Sequence, residues 1–264
     1  MGVAIVITSG KGGVGKTTTT ANVGTSLALL GKKVCLVDTD IGLRNLDVIM
    51  GLGNRVINDL VDVVDGNCKL SQALIKDKRC DHLFLLPAAN TKDKSAVSAE
   101  QMKKLIEELK QDFDYVLIDC PAGIEQGYKN AVAGADQAIV VTTPEHSAVR
   151  DADRIIGLLE SEGKIQPKIL INRIRNHMVK TGNMLDVDDV LQQLGKELIG
   201  VVADEEFVIE SSHHGQPAAL TPSNRASVAY RNIARRILGE SIPIQSFETE
   251  TGMFSKVKKL FGIR

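Results

Sequence analysis

Short, nearly unbroken apolar runs recur along the chain at 4–8, 33–37, 83–86, 115–118, 138–142, 168–171 and 199–202. They consist mainly of Val, Ile and Leu and do not alternate with polar residues. Strands covered on both faces have this pattern, as in a parallel sheet with helices on either side. Between the runs, apolar positions return at helical spacing over 16–30, 99–111, 127–133, 148–162, 187–194 and 225–238. Strand and helix in alternation predict one doubly wound α/β domain over residues 1–240, with a mostly parallel sheet of about seven or eight strands flanked by helices. Periodicity is lost over 241–252, where Glu248 and Glu250 appear, and this stretch reads as a linker. It returns at the end of the chain. Phe254, Val257, Leu260 and Phe261 share one helical face, Lys256 and Lys259 border it, and Lys258 lies away from it. Residues 253–264 therefore predict a short basic amphipathic helix, suited to an anionic membrane surface or to a protein groove.

Composition narrows the picture. The 264 residues carry 32 Lys and Arg against 33 Asp and Glu, so overall charge does not recruit nucleic acid, and only a local basic patch could do so. With 43% hydrophobic and 25% charged residues the chain is not disordered, and it contains no apolar run of about 18 residues that would span a bilayer. The apolar start is too short and too soon followed by glycines for a signal peptide, and Val6 stands where myristoylation would want Ser or Thr. Cys35, Cys68, Cys80 and Cys120 form no CxxC pair and are expected to be reduced, small hydrophobes in a cytosol. Aromatic residues at 3%, without Trp, argue against base-stacking platforms.

The first strand runs into Ser9, Gly10, Lys11, Gly12, Gly13, Val14, Gly15, Lys16, Thr17 and Thr18, followed by a helix. Gly10 to Thr17 satisfies G-x-x-x-x-G-K-[ST] in the strand–loop–helix setting that a phosphate loop requires. Glycines let successive backbone N–H groups turn toward a polyphosphate, and the helix start adds its positive dipole end. Lys16 is expected to meet the β- and γ-phosphates, Thr17 to ligate Mg²⁺, and Thr18 to reach the α-phosphate. The second lysine, Lys11, departs from the plain motif.

Two further strand ends carry aspartates. The run 33–37 closes on Asp38, Thr39 and Asp40, and the run 115–118 closes on Asp119, Cys120, Pro121, Ala122 and Gly123. Nucleotide sites of α/β sheets lie at the carboxyl ends of their strands. Asp119 fits a carboxylate that holds Mg²⁺ through water, Asp40 one that positions the attacking water, and Asp38 and Gly123 belong to the two switch loops. The end of the run 168–171 offers Asn172 and Arg173 rather than N-K-x-D. Asn172 can pair with an adenine edge and Arg173 can cover a ring face, so ATP is favoured over GTP. Ala203 to Glu206 is expected on the other side of the base.

GKGGVGKTT resembles the deviant phosphate loop of the MinD/ParA class of ATPases. VDTDIGLRNLDVIMG, IDCPAGIEQGYKNAV, SAVRDADRIIGLL, INRIR and the tail are similar to the MinD family within it, of Gram-positive type, over essentially the whole chain. The resemblance implies that Lys11 acts in trans, on the nucleotide of a second copy in an ATP-dependent homodimer. It implies a slow ATPase of division-site placement, bound peripherally to the inner face of the cell membrane through residues 253–264. It further implies recruitment of the septum inhibitor MinC, with Asp151 and Asp153 contributing, and a spatial regulator, either MinE-like or linked to DivIVA. ParA-type DNA segregation and flagellar-number control are the alternatives within the class. The nitrogenase iron protein shares the loop but needs a cluster cysteine where this chain has Gln126.

Overall fold

The computed structural model describes residues 1–161 and 166–244. Eight strands, β1 (Val3–Thr8), β2 (Val34–Asp38), β3 (Ile75–Lys76), β4 (Leu83–Leu86), β5 (Tyr115–Asp119), β6 (Gln137–Thr142), β7 (Pro167–Ile174) and β8 (Leu198–Ala203), form one sheet. Their order is β3-β4-β2-β5-β1-β6-β7-β8, parallel throughout except for the antiparallel β3–β4 pair at one edge. All seven strands expected from the sequence are present. The eighth, β3, has two residues, too few to show a period.

Helices cover both faces: α1 (Lys16–Leu29), α2 (Leu46–Ile49), α3 (Leu60–Val64), α4 (Leu70–Ala73), α5 (Ala99–Asp112), α6 (Gln126–Ala133), α7 (His146–Ser161), α8 (Asn176–Lys180), α9 (Val187–Leu194), α10 (Glu206–His213) and α11 (Arg225–Ile237). The strands feed two cores. Ala4 and Val6 of β1 face one, Ile5 and Ile7 the other, and Cys35 and Val37 of β2 are likewise split from Val34 and Leu36. This is why the runs look continuous rather than alternating.

Local sequence explains the helices that were legible. In α5, Met102, Leu105, Ile106 and Leu109 are buried along one stripe. Its start is a capping box: the Ser98 hydroxyl accepts from the Gln101 N–H and the Gln101 side chain accepts from the Ser98 N–H. Helix α1 is unlike it. Thr20 and Thr25 are fully buried, and each hydroxyl donates to the carbonyl one turn back, to Lys16 and Ala21. Those bonds let a polar helix sit between the sheet and α11.

Residues 241–244 have no regular structure. Arg236 holds them, donating to the Ile242 and Pro243 carbonyls at 2.9 Å and to the Ile199 carbonyl at 2.9 Å. Ile199 is near the start of β8, so the described chain ends at the sheet edge opposite the phosphate loop. The rest of the predicted linker and the predicted tail helix, with Phe254, Lys256, Val257, Lys258, Lys259, Leu260 and Phe261, lie outside the described residues.

Candidate functional site

The parallel strands bring Ser9, Asp38, Asp119, Thr143, Asn172 and Ala203 to one edge of the sheet. β1 lies centrally, between β5 and β6, and the glycine-rich turn rises from its end into α1. Gly13 and Gly15 have φ of 79° and 99°, left-handed angles that a side chain resists. Gly10 is a glycine for another reason. A Cβ there would lie 2.1 Å from the Asp151 carbonyl oxygen, because α7 crosses directly over the loop.

Lys16 is buried and donates to the Ser9 hydroxyl at 2.9 Å, while Ser9 donates to the Lys11 carbonyl at 2.7 Å. Burial lowers the proton affinity of the Lys16 amine, and the Asp119 carboxylate opposes that most. Asp119 is 2% exposed and lies beside Asp38 across the β2–β5 register. Burial, and then the charge of Asp38, push the Asp119 carboxyl up to about 8, against the pull of the Thr17 hydroxyl, Lys16 and the Thr20 hydroxyl. Thr20 donates to Asp119 at 3.2 Å. The expected Mg²⁺ ligand Thr17 and the expected outer-sphere carboxylate are therefore in mutual contact.

Asp38 has a different task from its neighbours. Its oxygens accept from the backbone N–H groups of Asp40 at 2.9 Å, Leu46 at 3.1 Å and Asn45 at 3.2 Å. It pins the whole loop that carries Asp40. Burial raises its carboxyl to about 6, with those N–H groups opposing. Thr39, which sequence reasoning passed over, donates to the Asp119 carbonyl at 2.6 Å and so joins the two switch loops. Its only sequence signal is its place between two aspartates. Gly123, in the second loop, has φ of 97° and open space around it.

Lys11 reaches the start of α7. Its side chain is 43% exposed, 3.6 Å from Glu145, and donates to the Ser147 hydroxyl at 3.3 Å. On α7, Asp151 is half-buried against Gly10 and Asp153 is exposed.

A pocket of about 200 Å³ opens beside the loop, lined among others by Asn172, Arg173, Ala203, Asp204, Val208 and Tyr230. Its position and size suit a base. Asn172 is only 4% exposed and donates from its amide to the Val14 carbonyl at 2.8 Å. One of its two N–H groups thus holds the phosphate loop, a role the sequence did not reveal. Arg173 has φ of 58°, where the β7–β8 register shifts between Ile171 and Ile174. Arg175 and Asp204 are paired at 2.6 Å beside it.

The chemistry of this donor set fits Mg²⁺ and a polyphosphate. Two adjacent buried carboxylates with raised proton affinity, and a hydroxyl on one of them, form a hard-oxygen site short of positive charge. Mg²⁺ is ordinarily held by one or two protein oxygens together with waters and phosphate oxygens, which is what Thr17 and Asp119 offer.

Comparison with known proteins agrees with this geometry. Residues 2–171 match the AAA domain family. The chain is 68% identical to the septum site-determining protein MinD of Bacillus subtilis (strain 168), covering all of both sequences. It superposes on MinD in the MinC:MinD cell division protein complex of Aquifex aeolicus with a TM-score of 0.85 and 50% identity, over 92% of this chain and 98% of the other. The septum site-determining protein MinD of Pyrococcus horikoshii OT3, complexed with Mg-ADP, matches with a TM-score of 0.82 and 28% identity, over 92% of this chain and all of the other.

Proposed function

The chain belongs to the MinD family of division-site ATPases, and from that premise we propose that ATP joins two copies of it into a membrane-bound pair that hydrolysis takes apart. The observation that carries this reading is the split between its two loop lysines. Lys16 is buried within its own phosphate loop, whereas Lys11 is 43% exposed and its amine meets Glu145 and Ser147 at the start of α7. An exposed lysine held only by Glu145 and Ser147 could reach the phosphates of a facing copy.

Within one copy, Lys16 would exchange Ser9 for the β- and γ-phosphates, and the loop N–H groups would hold the remaining oxygens. Thr17 would hold Mg²⁺ directly and Asp119 through water, and the bound ion would neutralise charge on the transferred phosphoryl group. Asp40 would position the attacking water, its loop kept in place by Asp38. Lys11 of the facing copy would supply further positive charge as the bond to the leaving group stretches. Its present contacts are weak to give up, since exposed pairs contribute about 0–1 kcal/mol. Asn172, Arg173 and the backbone near Ala203 would receive adenine. The contact between Gly10 and Asp151 would let α7 feel the state of the loop. This is the helix on which we place Asp151 and Asp153 for the septum inhibitor MinC, the partner of the Aquifex relative.

Membrane attachment is assigned to residues 253–264, joined to the ATPase domain (1–240) by the linker 241–252. Each basic side chain near an anionic leaflet contributes about 1 kcal/mol, and ordering each residue costs about 1–2 kcal/mol. A single tail therefore binds weakly. In a pair the second contact is intramolecular and the two bind far better. A spatial regulator, MinE-like or DivIVA-linked, would set where hydrolysis ends the attachment.

The test uses a non-hydrolysable ATP analogue with anionic vesicles. The full chain should run as a dimer on a sizing column and sediment with the vesicles. The chain ending at Gly252 should dimerise and stay in the supernatant. A full chain that stays single yet sediments equally well would overturn the reading.

A further inference from the structure

Arg79 lies in the turn between β3 and β4, outside the nucleotide site. All three nitrogens of its guanidinium donate. Nε and Nη2 donate to the two carboxylate oxygens of Asp77 at 3.0 and 2.7 Å, Nη1 donates to the Gly215 carbonyl at 2.8 Å, and Nη2 also donates to the Met50 carbonyl at 2.5 Å. Asp77 is itself 2% exposed, so the fork is aimed and held rigid.

The two carbonyls end two different segments. Met50 closes α2, the short helix that follows the Asp40 loop, and Gly215 follows α10. The segments cross with their backbones in contact. A Cβ on Gly51 would lie 2.5 Å from the Gly215 oxygen, and one on Gly215 would lie 2.6 Å from the Gly51 Cα. At the other end of each segment is the nucleotide site. Helix α10 contributes Val208, Ile209 and Ser212 to the base pocket. The segment before α2 carries Asp40, tied by Asp38 to the first residue of that helix.

We propose that Arg79 is a positioning residue that couples occupancy of the base pocket to the Asp40 loop, so that the base controls turnover as well as affinity. The inference rests on the ATPase reading and extends it. A two-turn helix moves as a unit. A base that seats α10 correctly also sets the Gly215 carbonyl, and the rigid fork passes that position to Met50, to α2 and to the loop bonded to its start. A wrong base occupies the pocket but leaves the loop misplaced.

The test compares ATP with inosine triphosphate, whose 6-oxo group replaces the 6-amino group, both at saturation with full-length protein and anionic vesicles. Wild type should turn over ATP at least about fivefold faster, the lower end of ordinary coupling between sites. Arg79→Lys keeps the charge beside Asp77 but cannot span both carbonyls with a planar fork. Gly215→Ala strains the crossing from the other side. Each variant should bring the kcat ratio to about one while its ATP affinity stays within about threefold of wild type. A wild type without ATP turnover would overturn both readings. An active wild type with no kcat preference, or variants that fold and keep the wild-type ratio, would overturn the coupling alone.

Discussion

Asp119 shows how one residue ties stability to ligand binding. Its carboxyl is held at about 8 in the folded chain, well above the ordinary value of about 4. A raised carboxyl means the folded state binds a proton that the unfolded state has released. That contribution is complete below about pH 4 and is lost as pH rises through about 8. Nucleotide-free protein should therefore lose stability over this window. Asp119→Asn, which carries no charge, should match wild type near pH 4 and unfold about 5 °C or more higher near pH 8. Thermal unfolding without nucleotide or metal measures this, and a gap that does not widen with pH would remove the charge argument. With Mg²⁺ and ATP the order should reverse, because the carboxylate then has a cation to meet.

Helix α7 and the phosphate loop illustrate the element scale. They meet backbone to backbone at Gly10 and through the Lys11–Ser147 hydrogen bond, and Gly12 in the same loop is a control. A Cβ at Gly10 meets the Asp151 backbone, whereas a Cβ at Gly12 has only the Ala122 side chain at 3.9 Å. Gly10→Ala should destabilise the nucleotide-free chain by about 1–3 kcal/mol, as overpacking does. Gly12→Ala should leave that stability unchanged. Urea unfolding of the two variants distinguishes them, and equal midpoints would mean that α7 yields easily and does not report on the loop. Both glycines belong to the same motif in the sequence, and only the crossing of α7 separates their roles.

For the whole molecule, the proposed role of Lys11 on a facing copy is the reading to test. The exposed position of Lys11 leads to a sharp expectation. Lys11→Ala should bind ATP as a monomer within about threefold of wild type, since an exposed pair contributes little to stability. It should fail to dimerise with ATP and so fail to sediment with vesicles. Sizing columns and equilibrium binding check the two halves separately, and a variant that dimerises normally would exclude a role in trans. The described chain leaves the domain at the edge of the sheet away from the loop, where Arg236 anchors residues 242 and 243. The described chain therefore ends, at residue 244, on the side opposite the phosphate loop.

Much of this was written in local pattern. A strand buried on both faces must be apolar at nearly every position, so seven strands of a mostly parallel sheet could be read directly, whereas their order could not. The phosphate loop was legible because backbone angles and charge placement at a strand–helix turn allow few residue types. Short elements were not legible: β3 has two residues and α2 four, and their conformation comes from what they pack against. The tasks of Asp38, Thr39, Asn172 and Arg79 were hidden for a related reason. Each depends on a backbone group far away in the chain or on a loop whose path is set by packing. Residue type states which bonds a side chain can make, but three-dimensional neighbours select among them, since a hydrogen bond requires a partner within about 3 Å and well aligned.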